Sequence, residues 1–197
     1  MAALVGAVLI GVALAGCGST AGKSTSTPAA TAPTRVQWVD FDGLRIPQAD
    51  QGPHDTTSSV APTGYSHDAA GGALAAISAT IRMSVASDDQ WSTVAAALSL
   101  PGEGRDAWLI ARARISITQP VAAGAPQVLG YTITSYTPEQ EQIGIVTQAG
   151  DQSLASTSSV VRWVGGDWKR VVPTITASSA NMVSAQTTVP HNMIRLV

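Results

Sequence analysis

The 197-residue sequence has a single cysteine, Cys17, so no disulfide can staple the chain internally. A domain of this size buries enough surface to fold without one. Charge is also sparse: charged residues make up 12% of the chain, the formal net charge is −2 and no basic block occurs. A charged face for nucleic acid is therefore not expected. No Gly-x-Ser-x-Gly elbow or phosphate-cradling glycine pattern is present. His54, His67 and His191 are scattered without ligand spacing, so neither a metal nor a cofactor is expected. The longest apolar run, Ala2 to Leu14, is about 13 residues. A membrane-spanning helix needs about 20.

That run instead has the length of a signal-peptide core. It ends in Leu14-Ala15-Gly16-Cys17. Small residues before the cysteine let an extended backbone enter a peptidase cleft, and the thiol can then accept a diacylglycerol. The pattern matches a bacterial lipobox and predicts cleavage before Cys17, lipidation of Cys17 and anchoring on the outer face of the cell membrane. No Lys or Arg precedes the run, a departure from the usual basic lead. The stretch from Gly18 to Thr34 is small, polar and proline-punctuated, with nothing able to pack. It reads as a disordered tether with a mean span of roughly 20–25 Å. The expected organisation is a signal peptide over 1–16, lipidated Cys17 and linker over 17–35, a folded domain over 36–175 and a loose polar tail over 176–197.

Within the domain, Trp38, Phe41, Leu44 and Ile46 predict a packed segment that proline and glycine keep short. Asp68 stands as an N-cap before Leu74, Ile77, Ile81 and Val85 at helical spacing. Gly71 and Gly72 weaken that helix start, as glycines placed for close backbone packing do. A second short helix starts near Asp88-Asp89, buries Trp91, Val94, Ala95 and Leu98, and stops at Pro101-Gly102. From Trp108 to Ile117 the period reads as two, which predicts a strand with Leu109, Ile115 and Ile117 inward and Arg112 and Arg114 outward. Further strands are expected over 128–136, 142–148, 158–164 and 168–172, the last two joined at Gly165-Gly166-Asp167. An even turn puts Trp163 and Trp168 on one face. A three-residue turn would set Arg162 directly opposite Arg170, an unfavourable pairing of like charges. Both tryptophans are therefore expected to point toward the helices. The fold class is α+β: one or two N-terminal helices on a curved, antiparallel, four- to five-stranded sheet.

Two other groups carry competing readings. His67 precedes the cap, where a hydrogen bond to a loop carbonyl is the simple expectation. Glu139 and Glu141 lie beside Pro138 and read as a solvated turn rather than an acid/base pair.

The stretch Val161-Arg162-Trp163-Val164-Gly165-Gly166-Asp167-Trp168 resembles the final hairpin of the nuclear transport factor 2-like, or cystatin-like cone, superfamily. With Trp38, Phe41-x-Gly43, Ile46-Pro47, Gly52-Pro53, Gly64-Tyr65-Ser66-His67 and Tyr136-Thr137-Pro138, the chain resembles an uncharacterised family of actinobacterial lipoproteins found near mobile-element genes. The match spans most of residues 36–173. Asp68-Ala69 stand where that family usually has Thr-Pro, and Arg170 stands where an apolar residue is common. An excess of arginine over lysine, nine to two, agrees with a GC-rich genome. The resemblance implies a non-enzymatic accessory component of a conjugation or type IV secretion-like apparatus, held to the membrane through Cys17 and contacting other envelope proteins. The Arg112/Arg114 strand face and the Trp38 to Pro53 segment are the expected contact surfaces. The alternative is a lipoprotein that holds a small apolar ligand between helices and sheet. A third reading, an enzyme using that space, needs an acid or base among the inward residues. Leu74, Ile77, Ile81, Ile115 and Trp163 supply none.

Overall fold

The computed structural model describes residues 32–174 and 182–196. The expected signal segment, Cys17 and nearly all of the tether lie outside the described residues. Thr34 and Arg35, at the end of the expected linker, already belong to the domain. The Thr34 hydroxyl donates to Asp50 at 2.8 Å, and the Arg35 guanidinium pairs with the same carboxylate at 2.7 Å.

A two-stranded hairpin, β1 (Gln37–Phe41) and β2 (Leu44–Gln48), precedes three helices: α1 (Ala69–Val85), α2 (Trp91–Leu98) and α3 (Glu103–Arg112). Six strands follow: β3 (Gln127–Thr137), β4 (Gln140–Gln148), β5 (Leu154–Val164), β6 (Asp167–Val171), β7 (Val183–Gln186) and β8 (Ile194–Arg195). They form one antiparallel sheet in the order β6-β5-β4-β3-β8, with β7 paired to the free half of β5. The α+β class is as expected, but among the described residues there are three helices where one or two were expected, and the main sheet has six strands where four or five were expected, with a separate two-stranded hairpin beside it. Among the described residues, no helix is long and apolar enough to cross a membrane.

α1 begins where its sequence says it should. The Asp68 carboxylate accepts from the Gly71 amide at 2.7 Å, which caps a free donor of the first turn. The helix then lies across one face of the sheet, with Leu74 and Ile77 packed on Tyr131, Ile143, Ile145 and Val161. Gly71 and Gly72 make the close approach possible. A Cβ at Gly71 would lie 2.1 Å from the Ser66 carbonyl oxygen, and one at Gly72 would lie 2.0 Å from a Glu141 carboxyl oxygen.

The β5–β6 hairpin turns on Gly165 and Gly166, both at positive φ, and pairs Trp163 directly with Trp168. Both tryptophans therefore share the helix-facing side, with ring centroids 5.4 Å apart. The Trp168 indole N–H donates to the Ser66 carbonyl at 2.9 Å, and His67 stacks on Trp163 at 3.9 Å.

Three expectations need correction. The strand expected from Trp108 to Ile117 is helix α3 and the turn after it. Glu103 and Asp106 in its first turn and Arg112 in its last complement the helix dipole, and Gly104, Ala107, Trp108 and Ala111 form one stripe at helical spacing. Ile115, expected inside, is 57% exposed. The polar tail is not loose where it is described: β7 and β8 both join the sheet, and Leu196 is buried.

Candidate functional site

Every arginine buried in this domain carries a charge that burial makes expensive unless it is partnered. The way the fold treats three of them separates one from the others. Arg82, on α1, donates to the carbonyls of Ser59 and Val60 at 2.8 Å each and lies over the Phe41 ring at 4.3 Å. Arg112, at the end of α3, donates to the carbonyls of Ile115 and Ala86 and pairs with Asp88 at 3.0 Å. Arg112 thus closes the loop after α3 and forms no strand face with Arg114, contrary to expectation.

Arg170 is different. It lies on β6, directly opposite Val161, and so shares the helix-facing side with Trp168. Its backbone carbonyl is taken by the Leu100 amide at 2.9 Å, which ties β6 to the segment after α2. Its side chain is only 8% exposed. One guanidinium nitrogen reaches the Met83 sulfur at 3.5 Å, a weak acceptor, and Nε has no partner at all. No carboxylate among the described residues pairs with it. Burial lowers its pKa to about 10, so it remains cationic at neutral pH.

This cation borders a cleft of about 460 Å³ between α1 and α3. α1 contributes Thr80, Met83 and Ser84; α3 contributes the stripe Gly104, Ala107, Trp108 and Ala111; Val172 and Pro173 form the floor beyond Arg170. Thr174 and Met182 complete the wall. Gly104 sets how closely α3 approaches, because a Cβ there would lie 2.0 Å from the Val172 carbonyl oxygen. Ser84 and Ala111 are exposed, so the cleft opens to solvent along the seam between the two helices. The hydroxyls of Thr80 and Ser84 are engaged, with Ser159 at 3.0 Å and with the Ile81 carbonyl at 2.7 Å respectively. The walls are therefore mostly apolar, with one under-partnered cation.

A second buried group corrects the expectation that Glu139 and Glu141 form a solvated turn. Glu141, read as part of a solvated turn, is 0% exposed and sits on the helix-facing side between Tyr136 and Val161. The register explains why. Glu141, Ile143 and Ile145 share one strand face, while Glu139 stays outside in the turn and gives its carbonyl to the Trp163 amide. Neither Glu141 carboxyl oxygen has a hydrogen-bond partner, and the nearby Tyr131 hydroxyl also lacks one. Burial, and secondarily the Asp68 charge, raises the Glu141 pKa to about 9. The carboxyl is therefore protonated at neutral pH and packs as a neutral group beneath Gly72. His67, as expected, meets a loop carbonyl: its Nε2 lies 2.6 Å from the Pro138 oxygen. Among the described residues, no group of three or more His, Cys, Asp or Glu comes together in a way that could hold a metal.

The model of a domain of unknown function, DUF8175, matches residues 11–190. The chain belongs to the DUF8175 family. The DUF8175 match begins inside the N-terminal apolar run, takes in Cys17 and covers α1, α3 and β6 around the cleft. No curated protein and no solved structure matches the chain.

The strand alternation could have located Glu141, since counting inward from Ile143 and Ile145 puts it on their face. The cleft had a signal as well: the spacing 104, 107, 108, 111 marks the inner face of a helix.

Proposed function

We propose that this chain is an exported, lipid-anchored envelope protein whose folded domain holds a small apolar ligand in the cleft between α1 and α3. The observation that carries the reading is the cleft itself. Its volume of about 460 Å³ is that of a small-molecule site, and its walls are largely apolar with few polar groups. The role of the chain is binding, and the Leu14 to Cys17 motif supplies the anchor. Lipid attachment at Cys17 would hold the domain at the bilayer surface, close to a source of apolar molecules.

Protein contact within a conjugation apparatus is the weaker reading. Of its two expected contact surfaces, the Arg112/Arg114 face does not exist as a strand. The Trp38 to Pro53 segment contributes Phe41 and Ile46 to the core.

Two measurements test the proposal. Metabolic labelling with a palmitate analogue should mark the wild-type protein and leave Cys17→Ser unmarked; equal labelling of both would remove the anchor. For the cleft, a neutral naphthylamine dye should bind the unacylated full chain, Cys17→Ser, at one saturable site. Adding Ala107→Trp, which fills the cleft from α3, should weaken dye binding at least ten-fold while leaving the urea midpoint within error. Undiminished dye binding in that variant would place the dye elsewhere and refute the site.

A further inference from the structure

The geometry points to a single-chain amphiphile with a carboxylate head as the ligand, its head on Arg170 and its chain along Met83 and Trp108. This inference rests on the proposed binding function and adds the class of ligand.

The argument is one of charge. Arg82 and Arg112 show that this fold can neutralise a buried guanidinium with carbonyls, a ring or a carboxylate. Nε of Arg112, like that of Arg170, lacks a partner, but the terminal nitrogens of Arg112 reach two carbonyls and the Asp88 carboxylate. At Arg170 the Met83 sulfur is the one side-chain partner found among the described residues, and no carboxylate pairs with it. A guanidinium presents a planar fork of donors, and the group that fills such a fork with two parallel hydrogen bonds is a carboxylate. The residues lining the cleft include no carboxylate and no cation besides Arg170. One positive charge matches one negative charge. A phosphomonoester at neutral pH would carry more charge than the site neutralises, and a cationic head would be repelled. Beyond the fork the walls are apolar, with Met83, Trp108, Val172 and Met182, so the rest of the ligand is hydrocarbon. The hydroxyls of Thr80 and Ser84 are bonded within the protein and do not call for a polar body.

The test is calorimetric titration of the unacylated full chain, Cys17→Ser, with laurate, dodecanol and dodecyl phosphate, each below its aggregation concentration. A charge-assisted, bidentate head contact predicts that laurate binds about ten- to a hundred-fold more tightly than dodecanol. Dodecyl phosphate should bind less tightly than laurate. Arg170→Met should bring laurate down to the level of dodecanol while leaving dodecanol binding intact, and the retained dodecanol binding shows that the variant is folded. Arg170→Lys, which keeps the charge and loses the fork, should fall between. Laurate binding no tighter than dodecanol in the wild type, or a laurate advantage that survives Arg170→Met, overturns the carboxylate assignment but leaves an apolar site. Failure of both laurate and dodecanol to bind removes the binding function itself. A concentration-dependent dimer that Ala107→Trp dissociates, with no preference for laurate, would put a second copy of the chain in the cleft and also overturn the inference.

Discussion

Gly71→Ala should destabilise the domain by about 2–3 kcal/mol, although helix propensity alone favours the change by up to about 1 kcal/mol. The added methyl would lie 2.1 Å from the Ser66 carbonyl oxygen and 2.9 Å from the Ser66 carbonyl carbon and amide nitrogen. These are backbone atoms, so a side-chain rotation cannot relieve the contact. Ser66 is also fixed from two sides: its amide donates to the Gln51 carbonyl, and its carbonyl accepts from the Trp168 indole. Moving it weakens hydrogen bonds worth roughly 1 kcal/mol each. Gly150→Ala is the control, since the nearest atom to its Cβ lies at an ordinary 3.8 Å. Urea denaturation of both variants should show a lowered midpoint for Gly71→Ala and almost none for Gly150→Ala. A raised midpoint for Gly71→Ala would mean that α1 does not approach the preceding loop as described.

Glu141→Gln should stabilise the domain at neutral and alkaline pH and remove much of its pH dependence. The folded-state pKa of Glu141 is raised from 4.5 to about 9 by burial. Between those values the native chain holds a proton that the unfolded chain has released, so unfolding stability falls as pH rises through this window. The slope is at most about 1.4 kcal/mol per pH unit for one proton. Below the unfolded pKa the neutral carboxyl contributes its full packing. Above the folded pKa the carboxylate would have to be buried charged, next to the capping carboxylate of Asp68. Glutamine keeps the shape and cannot ionise. Wild type and Glu141→Gln should therefore have similar melting temperatures near pH 4 and diverge steadily toward pH 9, with the variant higher. Parallel curves across that range would show that Glu141 is solvated when folded.

Much of the frame could be read from the sequence because local chemistry and tertiary packing agree there. Asp68 and the spacing of Leu74, Ile77 and Ile81 define α1, and the cap is found on the Gly71 amide. The Gly165-Gly166 turn fixed the parity of Trp163 and Trp168, and the register follows it. The segment that forms α3 supports two periods for an identifiable reason. From Ala111 to Ile117 the apolar residues Ala111, Ala113, Ile115 and Ile117 alternate with Arg112, Arg114 and Ser116, and alanine suits either period. The competing helical stripe begins earlier, at Gly104, and only the approach of that glycine to Val172 makes its purpose visible. Glu141 and Arg170 were hidden differently. Single-residue hydrophobicity puts a carboxylate and a guanidinium outside, and only the strand register carries both to the helix-facing side. The candidate site depends on that register, and so lay largely beyond a reading of periodicity.

The central claim is that the cleft between α1 and α3 takes up a ligand. The most direct measurement is a methyl-resolved NMR titration of the unacylated full chain with a neutral apolar probe. The account predicts saturable, single-site shifts of the Met83 and Met182 methyls and of the Trp108 indole, while the Ile143 and Ile145 methyls in the core beneath α1 stay unmoved. Shifts concentrated at the Ile143 and Ile145 methyls, or no shift at Met83 under saturating probe, would contradict it.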